Sequence, residues 1–232
     1  MIYRSKINGE SPGPLFQALL EQRGPLANHS PVPDEVLARY ERRLPDLLLD
    51  FWQAHGVGDL AGGLLRLTVP DAFAGALAVL FRGDPDFEQD SHVIAYGPFG
   101  DLLIWHERHW LLFCGMTLAF VDAPFLFHPP RDKTADQLVL EQVLGIDPAV
   151  LDLHDEADMP LFRRALTKLG RLPLGHIYGL QPPASVGLPV ELSRLHITPA
   201  EDWLVQRFSS WTYTLTDFQA RRLSIRDIGG PG

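Results

Sequence analysis

Apolar residues recur at helical spacing over the segment 33–56. The pattern predicts one helix over 33–44 and a second over 45–56, each with a single apolar face. Pro33 and Pro45 suit the first turn of a helix, because the N–H that proline lacks would have no intrahelical partner there. Gly56 is typical of a residue that ends a helix.

The hydrophobic period changes to two in the middle of the chain. Leu65, Leu67 and Val69 alternate with polar residues as in a strand, and Pro70 begins a helix predicted to run through Leu80. Four short apolar or aromatic runs follow, separated by turn residues, at 92–96, 101–106, 110–114 and 117–121. Short strands joined by tight turns predict an antiparallel β-meander.

A proline-rich connector at 124–133 divides the chain. After it, the pattern predicts helices over 134–144 and 161–169, strands over 177–180 and 192–197, and a last helix with a capping signal at 198–201. We therefore predict an α+β fold in which a central antiparallel β-meander is packed by helices, with a smaller α+β C-terminal lobe. The predicted units are a flexible or short-helical N-terminal segment (1–29), a first domain (30–123), the connector, a C-terminal domain (134–212) and a tail (213–232).

The chain is acidic, with 20 lysine and arginine residues against 29 aspartate and glutamate residues and a net charge of −9. This charge repels phosphate backbones and anionic lipid, so we expect neither direct nucleic-acid binding nor membrane binding, and it attracts a basic protein. The first residues contain no apolar signal-peptide core, and no run approaches the ~20 apolar residues of a membrane span. The single cysteine cannot form an internal disulfide. These features predict a soluble, cytoplasmic protein.

Two acidic runs are candidate contacts for a basic partner. The first alternates carboxylates in a polar loop and consists of Asp84, Asp86, Glu88 and Asp90. The second precedes the helix predicted at 161 and consists of Asp152, Asp155, Glu156 and Asp158. The first run is not an EF-hand, because Gln89 and Ala95 stand where that calcium loop needs glycine and glutamate. Since the second run has the ordinary role of stabilising a helix N-terminus, the first is the preferred contact hypothesis, with a merely solvated loop as the alternative.

The segment 106–109 comes closest to a catalytic metal site. A zincin helix carries two histidines four residues apart, whereas His106 and His109 are three apart, with Glu107 after the first, and fall at a predicted hairpin turn. We therefore expect no catalytic residue, metal site or cofactor. Cys114, at the end of an apolar strand, is expected to be a buried structural thiol. A metal-dependent hydrolase that uses His106, Glu107 and His109 is the enzymatic alternative.

Several segments resemble a known bacterial family. Residues 44–56 (LPDLLLDFWQAHG) and 97–105 (GPFGDLLIW) resemble the GAD-like domain. Residues 161–170 (LFRRALTKLG) and 175–180 (GHIYGL) resemble the small C-terminal domain that accompanies it. The resemblance thus assigns the first predicted domain to the GAD-like type and the second to its companion.

Proteins with this pair of domains are similar to immunity proteins of the type VI secretion system, which protect a bacterium from a DNase toxin. The resemblance implies a protein without enzymatic activity that binds and neutralises a cognate basic toxin, and it supplies no catalytic residues. A DNase needs a basic surface to bind DNA, and an acidic inhibitor is steered towards such a surface. A non-catalytic adaptor for another protein partner is the remaining alternative.

Overall fold

The computed structural model describes residues 3–7, 9–181 and 189–228. Its strands are β1 (Ala27–Ser30), β2 (Val57–Leu60), β3 (Leu65–Leu67), β4 (Ser91–Tyr96), β5 (Leu102–His106), β6 (Trp110–Gly115), β7 (Phe120–Asp122), β8 (His176–Leu180), β9 (Leu195–Pro199), β10 (Tyr213–Asp217) and β11 (Arg222–Ile228). Its helices are α1 (Gly13–Arg23), α2 (Asp34–Tyr40), α3 (Asp46–His55), α4 (Ala74–Leu80), α5 (Pro124–Phe127), α6 (Ala135–Leu138), α7 (Phe162–Leu169) and α8 (Ala200–Ser210). A π-helical stretch, Val139–Leu144, continues α6.

The two helices predicted over 33–56 are confirmed as α2 and α3. The apolar face of α3 is buried and includes Phe51 and Trp52. Gly56 ends α3 with a φ of 81°, and a Cβ at this position would collide with the carbonyl of Ser30. Only glycine therefore fits where the chain leaves α3 and enters β2.

One nine-stranded sheet organises the molecule, in the order β1-β2-β3-β4-β5-β6-β7-β10-β11. Neighbouring strands are antiparallel except for β7 and β10, which are parallel. Strands β4 to β7 form the predicted meander, so the α+β class with a central antiparallel sheet is confirmed.

The centre of the sheet is buried on both faces. In β5, Ile104 belongs to a core built with α4 and α8, whereas Leu103 and Trp105 belong to a second core built with α2 and α3. Successive side chains of a strand point to opposite faces, and here both directions lead into apolar surroundings. This double coverage explains why the meander strands read as nearly continuous apolar runs.

The smaller C-terminal lobe consists of α7 and the β8–β9 hairpin, packed around Phe162, Tyr178 and Leu195. Phe99, from the β4–β5 turn, enters the same core. Helix α8 lies in the predicted C-terminal domain but packs on the main sheet beside α4. The main core thus continues beyond the proline-rich connector.

The tail predicted for 213–232 is corrected by the structure, because β10 and β11 extend the sheet. Tyr213, Leu215 and Ile228 are buried in the core that contains α4 and α8. The segment alternates apolar and polar residues, but its partner β7 precedes it by about ninety residues, as in the pair Thr214 and Phe120. Pairing over such a separation is not visible in a local pattern.

The predicted N-terminal segment contains helix α1, and the chain before it is bound to α3. Asp50 of α3 is buried, and its carboxylate accepts hydrogen bonds from the backbone N–H groups of Arg4 (3.0 Å) and Ser5 (2.8 Å). The parts of the predicted N-terminal segment, C-terminal domain and tail at 1–2, 8, 182–188 and 229–232 lie outside the described residues. No helix within the described residues is long and apolar enough to cross a membrane.

Candidate functional site

The first acidic run lies in the loop between α4 and β4, where Asp84 is only 7% exposed. Its Oδ1 accepts hydrogen bonds from the backbone N–H groups of Asp86 (3.0 Å) and Phe87 (3.1 Å), and its carboxylate pairs with Arg226 of β11. Hydrogen bonds to Asp84 and Asp86 raise the pKa of Arg226. Asp84 therefore folds the loop and binds it to the last strand. The first run thus precedes a strand and caps no helix, yet Asp84 has a structural role in it.

The other three carboxylates of the first run differ in how freely they can contact a basic partner. Asp86 also pairs with Arg226, at 2.8 Å, and Asp90 lies 3.7 Å from Arg108. Glu88 is exposed. The neighbouring arginines thus reduce the negative charge that this loop offers to a partner.

Two carboxylates of the second run build the loop that contains them. Asp152 Oδ1 accepts hydrogen bonds from the backbone N–H groups of Leu161 (3.2 Å) and Phe162 (2.8 Å) and so caps the start of α7. Asp155 Oδ1 accepts from two backbone N–H groups of its own loop, both at 3.0 Å. A hydrogen bond from Arg164 lowers the pKa of Asp155, so its carboxylate stays ionised. The loop is therefore fixed internally, as expected for residues that precede a helix.

Glu156 and Asp158 of the same run point into solvent. The side chain of Asp158 is 94% exposed, and its Oδ1 lies 3.4 Å from Nδ1 of the half-exposed His154. Glu156 is exposed as well. Glu156 and Asp158 are thus exposed carboxylates in a loop that Asp152 and Asp155 hold in place.

The histidine segment forms the β5–β6 turn. His106 is buried, and its Nδ1 accepts hydrogen bonds from the backbone N–H groups of Arg108 (3.1 Å) and His109 (3.0 Å). A neutral imidazole that accepts at Nδ1 carries its proton on Nε2. Burial lowers the pKa of His106 to about 4, and the ring of His109 stacks on it with centroids 4.7 Å apart. His106 therefore acts as a neutral cap of the turn.

Glu107 is bound away from the two histidines. Its Oε1 lies 2.8 Å from Arg43 Nε and 2.8 Å from His92 Nε2. Although burial acts in the opposite direction, the hydrogen bonds from His92 and Arg43 lower the pKa of Glu107. Across residues 3–7, 9–181 and 189–228, no three histidine, cysteine, aspartate or glutamate side chains form a possible metal site. This arrangement does not favour the hydrolase alternative.

Cys114 is buried on β6, and burial raises the pKa of its thiol well above the ordinary value. A thiol in this state is neither ionised nor accessible at neutral pH. The structure thus agrees with the prediction of a structural thiol.

Comparison with known proteins identifies one matching family model. Residues 14–112 match the family model described as the GAD-like domain. This part of the chain is similar to the GAD-like domain, and we call residues 14–112 the GAD-like domain. The match begins within α1, whereas the sequence pattern placed the start of this domain at residue 30.

A solved structure extends the likeness to the C-terminal lobe. The crystal structure of Atu4351 from Agrobacterium tumefaciens is similar with a TM-score of 0.86 and 25% sequence identity, over 92% of this chain and 98% of that chain. No curated protein matches this chain. The GAD-like domain and the lobe that follows it therefore recur together as one fold.

A buried arginine that the sequence reading did not identify joins the GAD-like domain to the C-terminal lobe. Arg66 of β3 is completely buried and donates to Asp59 Oδ1 at 2.7 Å. It also donates to three backbone carbonyls of the segment 172–176, at 2.6 to 3.1 Å. The one sequence signal is a charged residue between the apolar Leu65 and Leu67. Arg66 thus joins the two parts of the chain through one ion pair and three hydrogen bonds to backbone carbonyls.

Proposed function

We propose that this chain is a cytoplasmic immunity protein that binds and neutralises a cognate DNase toxin of the type VI secretion system. The observation that carries the proposal is the fixed loop that holds Glu156 and Asp158 in solvent, on a chain with a net charge of −9. The GAD-like domain at 14–112, and the resemblance of the segments on both sides of the connector to immunity proteins, support it. The protein acts by binding and leaves the toxin chemically unchanged.

Electrostatic attraction gives this proposal a physical basis. A DNase must present a basic surface to the phosphates of DNA. An acidic partner is drawn to such a surface, and charges held at fixed positions on the outside of a folded domain accelerate association. In the first acidic run, Arg226 and Arg108 compete for the carboxylates, so the loop 152–161 is the better source of this attraction.

The test is protection of cells against the toxin encoded in the neighbouring open reading frame. Expression of that toxin alone should degrade chromosomal DNA and stop growth, and co-expression of this chain should restore both. In vitro, the purified chain should abolish cleavage of plasmid DNA at a one-to-one ratio with the toxin. Growth arrest that persists despite soluble expression of this chain would contradict the proposal, and binding without protection would instead support the adaptor alternative.

A matched control separates inhibition from hydrolysis. The double variant His106→Gln and Glu107→Gln removes the groups that the hydrolase alternative needs. Protection by this variant, provided that it folds, is expected under the immunity proposal. Loss of protection by the folded variant would contradict it.

A further inference from the structure

Helix α7 and the residue that follows its end form a basic surface on an acidic chain. The segment 159–190 contains four lysine and arginine residues and no aspartate or glutamate. All four are exposed, and we call them the cationic face: Arg163, Arg164, Lys168 and Arg171. The second acidic run ends directly before this segment, so negative and positive charges are segregated along this part of the chain.

The helical period explains why the cations of α7 share one side of the helix. Phe162 and Ala165 are buried in the core of the C-terminal lobe. Because an α-helix has 3.6 residues per turn, Arg163, Arg164 and Lys168 lie on the opposite side. Folding of the lobe therefore buries the apolar side of α7 and leaves its cationic side in solvent.

Contacts within the chain neutralise only part of this charge. Arg164 pairs with Asp155 of the preceding loop. Lys168 Nζ lies 3.5 Å from the backbone carbonyl oxygen of Leu192, which carries no net charge. The positive charge of Lys168 is therefore held in place by this contact but is not cancelled.

The remaining two cations have no carboxylate partner. Arg163 and Arg171 form no ion pair with any residue that the structure describes. The next acidic residue along the chain, Glu191, accepts a hydrogen bond from the hydroxyl of Ser193 at 2.9 Å. Within the described residues, the cationic face thus keeps three of its four positive charges available to a partner.

The sign of the cationic face selects an anionic partner, and its surroundings select a compact one. Helix α7 has eight residues and is therefore about 12 Å long. A nucleic-acid backbone or a lipid surface extends further than this and would meet the exposed Glu156 and Asp158 directly before α7. A compact cluster of carboxylates on a protein can contact the cationic face without this repulsion.

A DNase that uses metal ions carries such a cluster in its active site. Carboxylate oxygens hold Mg²⁺ where it stabilises the reacting phosphate. The surface around that site must be basic, because it binds the other phosphates of DNA. The active site thus has a negative centre within positive surroundings. The cationic face is complementary to the centre, and Glu156 and Asp158 are complementary to the surroundings.

We propose that the cationic face docks on the metal-binding carboxylates of the toxin and takes the place of the metal ion. The proposal rests on the immunity function proposed above and adds the way in which cleavage is prevented. Arginine suits this role, because its planar guanidinium donates two parallel hydrogen bonds to one carboxylate. The loop 152–161 steers the approach, and the cationic face blocks the active site.

The experiment compares two double variants that carry the same net charge. Arg163→Gln with Lys168→Gln changes the cationic face, and Lys6→Gln with Arg131→Gln is the matched control. All four residues are exposed, and each double variant loses two positive charges, so both change the net charge from −9 to −11. The probe is the nuclease domain encoded in the neighbouring open reading frame, inactivated by removal of its metal ions with EDTA, in calorimetric titrations.

The variant of the cationic face should bind at least about 30-fold more weakly than wild type, although it is more acidic. The control should stay within about threefold of wild type, as expected for exposed charges outside the interface. If the first variant binds as tightly as the control, the cationic face is not the docking surface, while the immunity function stands. If wild type binds the nuclease domain neither with nor without metal, the immunity function fails and the docking surface fails with it.

Competition with the metal ion is a second measurement, which needs no variant. Returning the metal that restores cleavage, at constant ionic strength, should weaken binding of the wild-type chain at least about tenfold, because both need the same carboxylates. Circular dichroism and thermal unfolding of the variants should match wild type. An affinity that is independent of the metal, or a toxin that cleaves DNA in EDTA, would overturn the proposal even if a variant failed to fold.

Discussion

Carboxylates that look alike in the sequence have opposite roles in the structure. Asp84 and Asp158 both stand in acidic runs of polar loops, yet Asp84 is 7% exposed and the Asp158 side chain is 94% exposed. The difference arises from Arg226, which pairs with Asp84 although it is 142 residues away in the chain. Composition and spacing predicted that the loops are acidic. They could not show which carboxylates a distant arginine would bind.

Replacing Asp84 should therefore affect stability. Asp84→Ala removes the acceptor of two backbone N–H groups and leaves Arg226 without its main partner. We expect the free energy of unfolding to fall by about 2–4 kcal/mol in urea denaturation. Glu156→Ala, an exposed carboxylate in the other run, should change it by no more than about 0.5 kcal/mol. Equal stabilities of the two variants would contradict the structural role of Asp84.

His106 predicts a pH dependence of stability with a defined sign. Its pKa is about 4 in the folded chain, against 6.5 for an unperturbed histidine. Between these values the unfolded chain binds the proton and the folded chain does not, so the contribution of His106 is complete above pH 6.5 and declines as the pH falls towards 4.

The variant His106→Gln isolates this effect, because glutamine still offers an oxygen acceptor to the turn but does not titrate. The stability advantage of wild type over the variant should be smaller at about pH 4.5 than at about pH 7.5. Urea denaturation of both proteins at the two pH values measures it. An advantage that is independent of pH would show that His106 is not held neutral.

At the scale of elements, the sequence succeeded where partners are neighbours in the chain. Strands β4 to β7 follow one another through short turns, so period-two runs were sufficient to predict the meander. The helices α2 and α3 were equally visible from their apolar spacing and bounding residues. The hairpin β10–β11 was missed because its place in the sheet depends on a parallel contact with the distant β7. The sequence predicted acidic residues before α7, but it did not show that Asp152 is the residue that caps the helix.

The hairpin β10–β11 should be essential to the fold. Removing residues 213–232 would expose β7 and the core that contains Tyr213, Leu215 and Ile228. We expect this truncated chain to lose cooperative thermal unfolding and to aggregate, since an uncovered strand edge beside an apolar core promotes association. Removing 229–232 alone leaves both strands in the chain and should preserve the transition. A cooperatively folded chain without 213–232 would show that the hairpin is accessory.

At the scale of the whole molecule, the GAD-like domain and the C-terminal lobe are joined by elements that cross the predicted boundary. Arg66 binds carbonyls of the segment 172–176, and α8 packs on the main sheet although it follows the lobe hairpin in sequence. The net charge of −9 is therefore distributed over one connected body, with Glu156 and Asp158 at fixed positions on it. Association kinetics can then show whether the net charge or the position of the exposed carboxylates determines the association rate.

Two pairs of charge reversals separate the effect of the net charge from the effect of its position. Glu156→Lys with Asp158→Lys changes the net charge from −9 to −5, because each reversal adds two units. Glu10→Lys with Glu21→Lys gives the same net charge from exposed residues elsewhere. If the loop 152–161 steers association, the first variant should slow binding to the inactivated nuclease domain by about tenfold at 50 mM salt and flatten the salt dependence. The second should slow it by no more than about threefold, since neither of its carboxylates belongs to the loop.

Stopped-flow measurements from about 50 to 500 mM salt give the association rate and its salt dependence, because exposed charges are strongly screened at the upper limit. Equal slowing by the two variants would mean that net charge alone accelerates association and that the loop has no special position. If the association rate of wild type does not change with salt, electrostatic steering does not contribute to binding. Binding would then depend on apolar contacts, which salt does not screen and which act mainly on the dissociation rate.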